Sequence, residues 1–148
     1  MNQSTNVTSH DDHTVQSTLD QLNAFLPDHL IRLYPAQRTI TLLDKHTLTI
    51  IAQQKLTGNE WATFIAILAA YPYYASHEAL FAVVTGLSLE QSRQELRKAQ
   101  AKGSAHYKNT FKPVSRTITG VRRKLGTAAP MLHIRLMREC GYVLMVDA

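Results

Sequence analysis

The residues between positions 112 and 125 combine long cationic side chains with small hydroxyls, a set that can bind nucleic acid. Guanidinium groups donate paired hydrogen bonds to phosphate oxygens or to the O6 and N7 atoms of guanine, and small hydroxyls leave room for close approach. The chemistry that they offer is contact with a DNA duplex through its major groove. The candidate DNA-binding residues of this segment are Lys112, Ser115, Arg116, Thr119, Arg122 and Arg123.

Apolar residues in the same segment recur with the period of an α-helix. The spacing i, i+4, i+7 and i+11 places one stripe of side chains toward the core: Val114, Ile118, Val121 and Leu125. The cationic residues then lie on the outward side, and Gly126 is expected to end the helix. Taken alone, the pattern is also typical of a solvated helix surface.

The positive charge of the chain is concentrated in its second half. Residues 1–60 contain four Lys and Arg against six Asp and Glu, whereas residues 61–148 contain twelve against five. All twelve lie between Arg93 and Arg138, where Glu95 is the one acidic residue. Such a field attracts polyanions and is typical of nucleic-acid binding, although charge alone also fits a merely soluble surface.

Two apolar β segments, LHIRLM and YVLMV, follow Pro130 and predict a hairpin. Gly141 is expected to permit the backbone conformation that the closing turn requires. Arg138 lies at the tip and Arg135 in the first strand, and both join the candidate DNA-binding residues. A basic tip beside a basic helix can place arginine in a minor groove next to the major groove that holds the helix.

The preceding elements must position these residues. Residues 1–27 are rich in polar residues and predict a flexible tail, so that one domain spans residues 28–148. Within the domain, the segments LIRLY, RTITLL and TLTII predict three strands of a small antiparallel sheet.

Three helix starts follow the predicted sheet. Thr57 with Glu60 and Ser88 with Gln91 have the spacing of capping boxes, and Ser76 is a further N-cap. The helices that they open are expected to end before Pro72, at Gly86 and at Gly103 respectively. These elements predict an α+β fold with three to four helices.

Four segments, LTGNE, SHEALFAVVTG, VSRTITGVRRKLG and MRECGYVL, resemble the OmpR/PhoB-type winged-helix DNA-binding domain of response regulators. The similar region runs from about Leu30 to Val146. The resemblance implies a winged helix-turn-helix with an N-terminal antiparallel sheet and a C-terminal hairpin wing. It also implies a sequence-specific transcription regulator that binds double-stranded DNA as a homodimer, with recognition helix 112–125 in the major groove and wing 135–142 at the minor groove.

Departures from the family pattern limit what can be carried over. The N-terminal tail is too short for a receiver domain. The segment that contacts RNA polymerase in the family contains an extra helix here, over residues 89–102, so polymerase is a less certain partner than DNA. Ser115 and Thr117 stand where the family often has Asp and His, so the sequence preference cannot be transferred.

Two alternatives stay open. Helix 89–102 could itself be the recognition helix, with Arg93, Arg97 and Lys98 toward DNA. The chain could instead be a protein-interaction adaptor that keeps the fold without specific DNA binding.

Other classes of protein are disfavoured by the sequence. It has no phosphate-binding glycine loop and no catalytic spacing of nucleophile and base, so we expect no enzyme activity and no cofactor. One cysteine, Cys140, excludes an internal disulfide and a cysteine-rich metal site, and we expect no bound metal. No apolar run is long enough to cross a membrane, so we expect a protein of the bacterial cytoplasm or nucleoid.

Overall fold

The computed structural model describes residues 2–147, with side chains from residue 14 onward. It is an α+β structure with two three-stranded antiparallel sheets and five α-helices. The helices are α1 Asn2–Phe25, α2 Gly58–Ala70, α3 His77–Thr85, α4 Leu89–Ala101 and α5 Ser104–Ala128. The strands are β1 His29–Tyr34, β2 Thr39–Asp44, β3 Ile50–Lys55, β4 Tyr74–Ser76, β5 Leu132–Met137 and β6 Gly141–Val146.

The first sheet has the strand order β1-β2-β3, as expected, but its third strand lies later in the chain than the sequence predicted. The predicted strand was residues 47–51. In the structure the Asp44 carboxylate accepts hydrogen bonds from the backbone N–H groups of His46 and Thr47, and Leu48 has a φ of 60°. Residues 45–49 therefore form the turn, and Ile50–Lys55 pairs with β2.

The N-terminal segment is not the flexible tail that its polar composition predicted. Residues 2–25 form α1, and its second half packs on α2 and β1. Four apolar residues of this region lie in the common core, at most 7% exposed: Val15, Leu19, Leu22 and Leu26. The Asn23 side chain also bonds both the N–H and the C=O of Ile31 at 2.8 and 2.9 Å, so the proposed domain boundary at residue 28 divides one packed unit.

The three predicted helix starts are confirmed. The Thr57 hydroxyl accepts a hydrogen bond from Glu60 N, and the Glu60 carboxylate accepts one from Thr57 N. Ser88 and Gln91 form the same reciprocal pair, and the Ser76 hydroxyl caps α3. With α1 the helices number five, rather than three to four.

The second sheet, of order β4-β6-β5, contains the C-terminal hairpin formed by β5 and β6. The hairpin turn has its left-handed residue at Glu139, with a φ of 64°, and not at Gly141. Gly141 is needed for a different reason. A Cβ atom there would lie 1.9 Å from the Ala75 carbonyl oxygen of β4, so only glycine allows the two strands to approach.

Helix α5 is longer than predicted and spans the core. It begins after Gly103, contains Pro113 in its interior and continues past Gly126 to Ala128. The predicted apolar stripe is confirmed, since each of its four residues is at most 1% exposed: Val114, Ile118, Val121 and Leu125. These side chains join the same core as both sheets, which fixes the rotation of α5 about its axis.

Candidate nucleic-acid interface

The side of α5 that faces away from the core is a continuous polar and basic surface, here called the α5 outer face. It is formed by exposed side chains that recur at about one helical turn along α5: Lys108, Lys112, the adjacent pair Ser115 and Arg116, Thr119 and Arg123. Helical geometry spreads them over about 22 Å along the helix axis. Residues 104–128 contain no Asp or Glu, so nothing within the helix neutralises these cations.

The cations of the α5 outer face have no internal partners. Among the described side chains, Lys108, Lys112, Arg116 and Arg123 form no ion pair and no hydrogen bond. Two hydroxyl groups of the same helix do have internal partners, because Thr117 donates to the carbonyl oxygen of Pro113 and Thr119 to that of Ser115, one turn earlier in each case. The cationic groups are therefore free to contact an external anion.

Lys108 was not among the predicted site residues. The helix predicted from the sequence begins at Lys112. The structure instead extends the helix back to Ser104. The signal that could have found Lys108 is its spacing of four residues from Lys112, which continues the same face by one turn.

Arg122 differs from its neighbours in having internal contacts. Its Nε atom donates a hydrogen bond to the Ile134 carbonyl oxygen of β5 at 3.0 Å. Its guanidinium carbon lies 5.7 Å from the centre of the Tyr142 ring of β6, within cation–π range. Arg122 therefore joins α5 to the hairpin, and only its remaining N–H donors are available outward.

The hairpin places its two predicted arginines in solvent. Arg135 lies on β5 and Arg138 in the turn, and both are exposed. Within the described part of the chain, neither forms an ion pair. The backbone of the turn is held by Cys140 N donating to Met137 O at 3.0 Å, and by His77 N donating to Cys140 O at 3.2 Å. The hairpin turn is thus fixed to the start of α3.

A partly buried ion pair anchors the other side of α5. The Glu60 carboxylate of α2 accepts a hydrogen bond from the Lys124 ammonium at 2.6 Å, and the side chains are 10% and 18% exposed. Burial alone would raise the pKa of Glu60, but the Lys124 and Thr57 hydrogen bonds outweigh it and hold that pKa below its ordinary value. Gly120 makes room, because a Cβ atom there would lie 2.1 Å from Glu60 Oε2.

Helix α4, the alternative recognition helix, carries its own neutralising acids. Arg93 pairs with Glu90 at 3.8 Å, and Lys98 pairs with Glu95 at 3.9 Å, one turn apart in each case. Exposed pairs of this kind are weak, but they reduce the local positive potential that a phosphate would meet. The structure therefore places the basic residues of α4 in a surface of mixed charge and those of the α5 outer face in a surface without acidic residues from the same helix.

Metal-binding clusters and membrane-crossing helices are absent from the part of the chain that the structure describes. No group of three or more His, Cys, Asp or Glu side chains in that part of the chain is placed to hold a metal ion. None of its helices combines the length and the apolar composition that a bilayer crossing requires. Cys140, in the hairpin turn, is a free and partly buried thiol.

In comparisons with known proteins, no family model, no curated protein and no solved structure gives a significant match to this chain. The resemblance to OmpR/PhoB-type domains therefore remains an expectation based on the four sequence segments.

Proposed function

We propose that this protein is a sequence-specific regulator of transcription that binds double-stranded DNA through the α5 outer face and the C-terminal hairpin. The observation that carries the proposal is the uncovered, acid-free cationic surface of α5. A duplex can reach these guanidinium groups only if the rest of the chain neither covers them nor pairs them with carboxylates. Arg116 and Arg123 meet both conditions within the described part of the chain, since they are exposed and unpaired.

The dimensions and chemistry of α5 suit a major groove, which admits one α-helix. The groups at the two ends of the face, Lys108 and Arg123, lie about 22 Å apart along the axis, so they would meet different phosphates. Between them, Ser115 and Thr119 are small enough to let Arg116 approach base edges. Phosphate contacts would supply most of the affinity, and Arg116 would contribute to sequence choice.

The hairpin would take the role of a wing in a winged helix-turn-helix arrangement. Arg122 fixes the hairpin beside α5, and Arg138 extends from the tip of the hairpin. An arginine at such a tip would insert into the minor groove next to the major groove that holds α5. Two protomers on repeated half-sites, in a bacterial cytoplasm or nucleoid, would complete the proposed arrangement.

Selection of bound duplexes from a random pool tests the proposal. The full chain would be incubated with the pool at two salt concentrations, and the recovered duplexes sequenced. We expect a recurring motif that survives at the higher salt, with total binding falling steeply, because phosphate contacts release counterions. Recovery without any motif would instead support the adaptor alternative, in which the chain docks on another protein such as RNA polymerase.

A further inference from the structure

A cleft of about 660 Å³ lies on a different part of the molecule from the α5 outer face. It is bordered by the start of α3, by α4, by the first turns of α5 and by the hairpin turn, and its lining residues are His77, Glu78, Arg93, Leu96, Arg97, Gln100, Tyr107 and Glu139. Its volume is within the range of small-molecule sites in proteins. The extra helix α4 supplies four of these residues, so the cleft exists because of that helix.

The charged groups of the cleft are balanced in sign but are not paired across it. Two arginines come from α4, and one glutamate each comes from α3 and from the hairpin turn. Arg97, Glu78 and Glu139 form no ion pair or hydrogen bond within the described residues, and Arg93 pairs only with Glu90, outside the cleft lining. Opposite charges that face one cleft without meeting can each be satisfied by a ligand that carries both signs.

The remaining lining residues are one aliphatic side chain, two rings and one amide: Leu96, Tyr107, His77 and Gln100. Leu96 is buried, and Tyr107 stacks on Phe111 with ring centres 5.9 Å apart. The His77 ring packs edge-on against Phe111 and Tyr142, and burial lowers the pKa of His77, which disfavours its charged form. The cleft therefore combines two cationic groups, two anionic groups and an apolar wall.

We propose that the cleft binds a free α-amino acid with an apolar or aromatic side chain. Arg93 and Arg97 would bind its carboxylate, Glu78 and Glu139 its ammonium group, and Leu96 and Tyr107 its side chain. A purely anionic ligand would face the two glutamates, and a purely cationic one would face the two arginines. A zwitterion avoids both repulsions. This site does not depend on DNA binding, and its test uses no duplex.

The test is calorimetric titration of the full chain with L-leucine and L-phenylalanine. Each would be compared with two matched probes, the N-acetyl derivative, which lacks the ammonium group, and the amide, which lacks the carboxylate. We expect at least one free amino acid to bind about tenfold or more tightly than both of its derivatives, because each loses a charge-assisted contact. No binding of either amino acid, or equal binding of the derivatives, would overturn the proposal.

Substitutions in the cleft test whether the amino acid binds there. Arg97→Gln and Glu78→Gln should each weaken binding of the free amino acid about tenfold while leaving the melting temperature close to that of the parent. Lys102→Gln is the matched control, since Lys102 is exposed at the end of α4 and does not line the cleft. Inorganic phosphate is the final probe: binding as tight as that of the amino acid would identify a general anion site and contradict the assignment.

Discussion

Helices α4 and α5 are adjacent, basic and packed against each other, yet only α5 has an exposed basic face with no acidic residue in the helix. Helix α4 carries Glu90 and Glu95, each one turn from a basic partner, whereas residues 104–128 contain no acid. The two helices also differ in how they are held. Helix α5 has a partly buried ion pair on one side, from Lys124 to Glu60, and a bond to the hairpin on the other, from Arg122.

This difference shows that a count of lysines and arginines does not define a nucleic-acid surface. Among the twelve basic residues of the second half, those of α4 lie beside acidic residues and those of the α5 outer face do not, so the positions of the few acids distinguish the two surfaces. In the proposed complex, an acid-free face would present its cations to a regularly spaced polyanion without competing carboxylates. The contrast leads to four predictions, from the largest expected effect to the smallest.

The double substitution Arg116→Ala and Arg123→Ala should remove most duplex binding. Loss of two charge-assisted contacts is expected to weaken affinity by about 100-fold. Fluorescence anisotropy with a selected duplex measures the change. Arg32→Ala with Lys55→Ala is the matched control, because it removes two exposed cations from β1 and β3 of the first sheet. If the control lost as much affinity as the α5 variant, the binding surface would have been misplaced.

Gly120→Ala should destabilise the fold by about 2 kcal/mol, because the new methyl group would displace the Glu60 carboxylate from both Lys124 and Thr57. Gly126→Ala, in the same helix with nothing within 4 Å of the added atom, should instead stabilise the fold by up to about 1 kcal/mol. Urea unfolding of both variants measures whether the free energy of unfolding falls or rises. If both substitutions changed the free energy of unfolding equally, the Glu60–Lys124 ion pair would not be closely packed against Gly120.

Replacing Glu60 with Gln should have a pH-dependent effect on stability. The pKa of Glu60 is lowered in the folded state, so its carboxylate stabilises the fold above the ordinary value of 4.5, and this contribution is lost as the pH falls through the folded value. The melting-temperature difference between parent and variant should therefore be largest near neutral pH and shrink in acid. Glu95→Gln, which removes an exposed pair of α4, should change little at any pH.

The smallest effect is expected from Arg93→Ala with Arg97→Ala on α4. These residues line the cleft, and Arg93 already has an acidic neighbour, so duplex affinity should stay within about threefold of the parent. Anisotropy with the same duplex measures it. A larger loss than that caused by the α5 variant would transfer recognition to α4.

Short sequence patterns predicted the structure correctly where a side chain bonds to backbone groups a few residues away. The capping boxes of Thr57 and Ser88 are confirmed, because they involve residues only three positions apart. The core stripe of α5 is confirmed for a similar reason, since helical periodicity fixes which side is apolar.

The errors arose where tertiary contacts outweighed composition. Val15, Leu19, Leu22 and Leu26 have the same i, i+4, i+7, i+11 spacing as the α5 stripe, but the polar residues around them suggested a flexible tail. The third strand, predicted over residues 47–51, is Ile50–Lys55 in the structure, because pairing with β2 and the hydrogen bond to the Asp44 carboxylate fix the position of the turn. Gly141 was expected to serve the turn, whereas the need for glycine comes from β4, a strand more than sixty residues earlier.

The salt dependence of duplex affinity tests most directly whether the α5 outer face contacts phosphates. The logarithm of the association constant would be measured against the logarithm of salt concentration for the parent, the Arg116 and Arg123 double variant, and the Arg93 and Arg97 double variant. We predict that the slope falls by about one in the first variant, because Arg123 is proposed to contact a phosphate and Arg116 the base edges, and that it is unchanged in the second variant. An unchanged slope in the α5 variant, with a reduced slope in the α4 variant, would contradict the account.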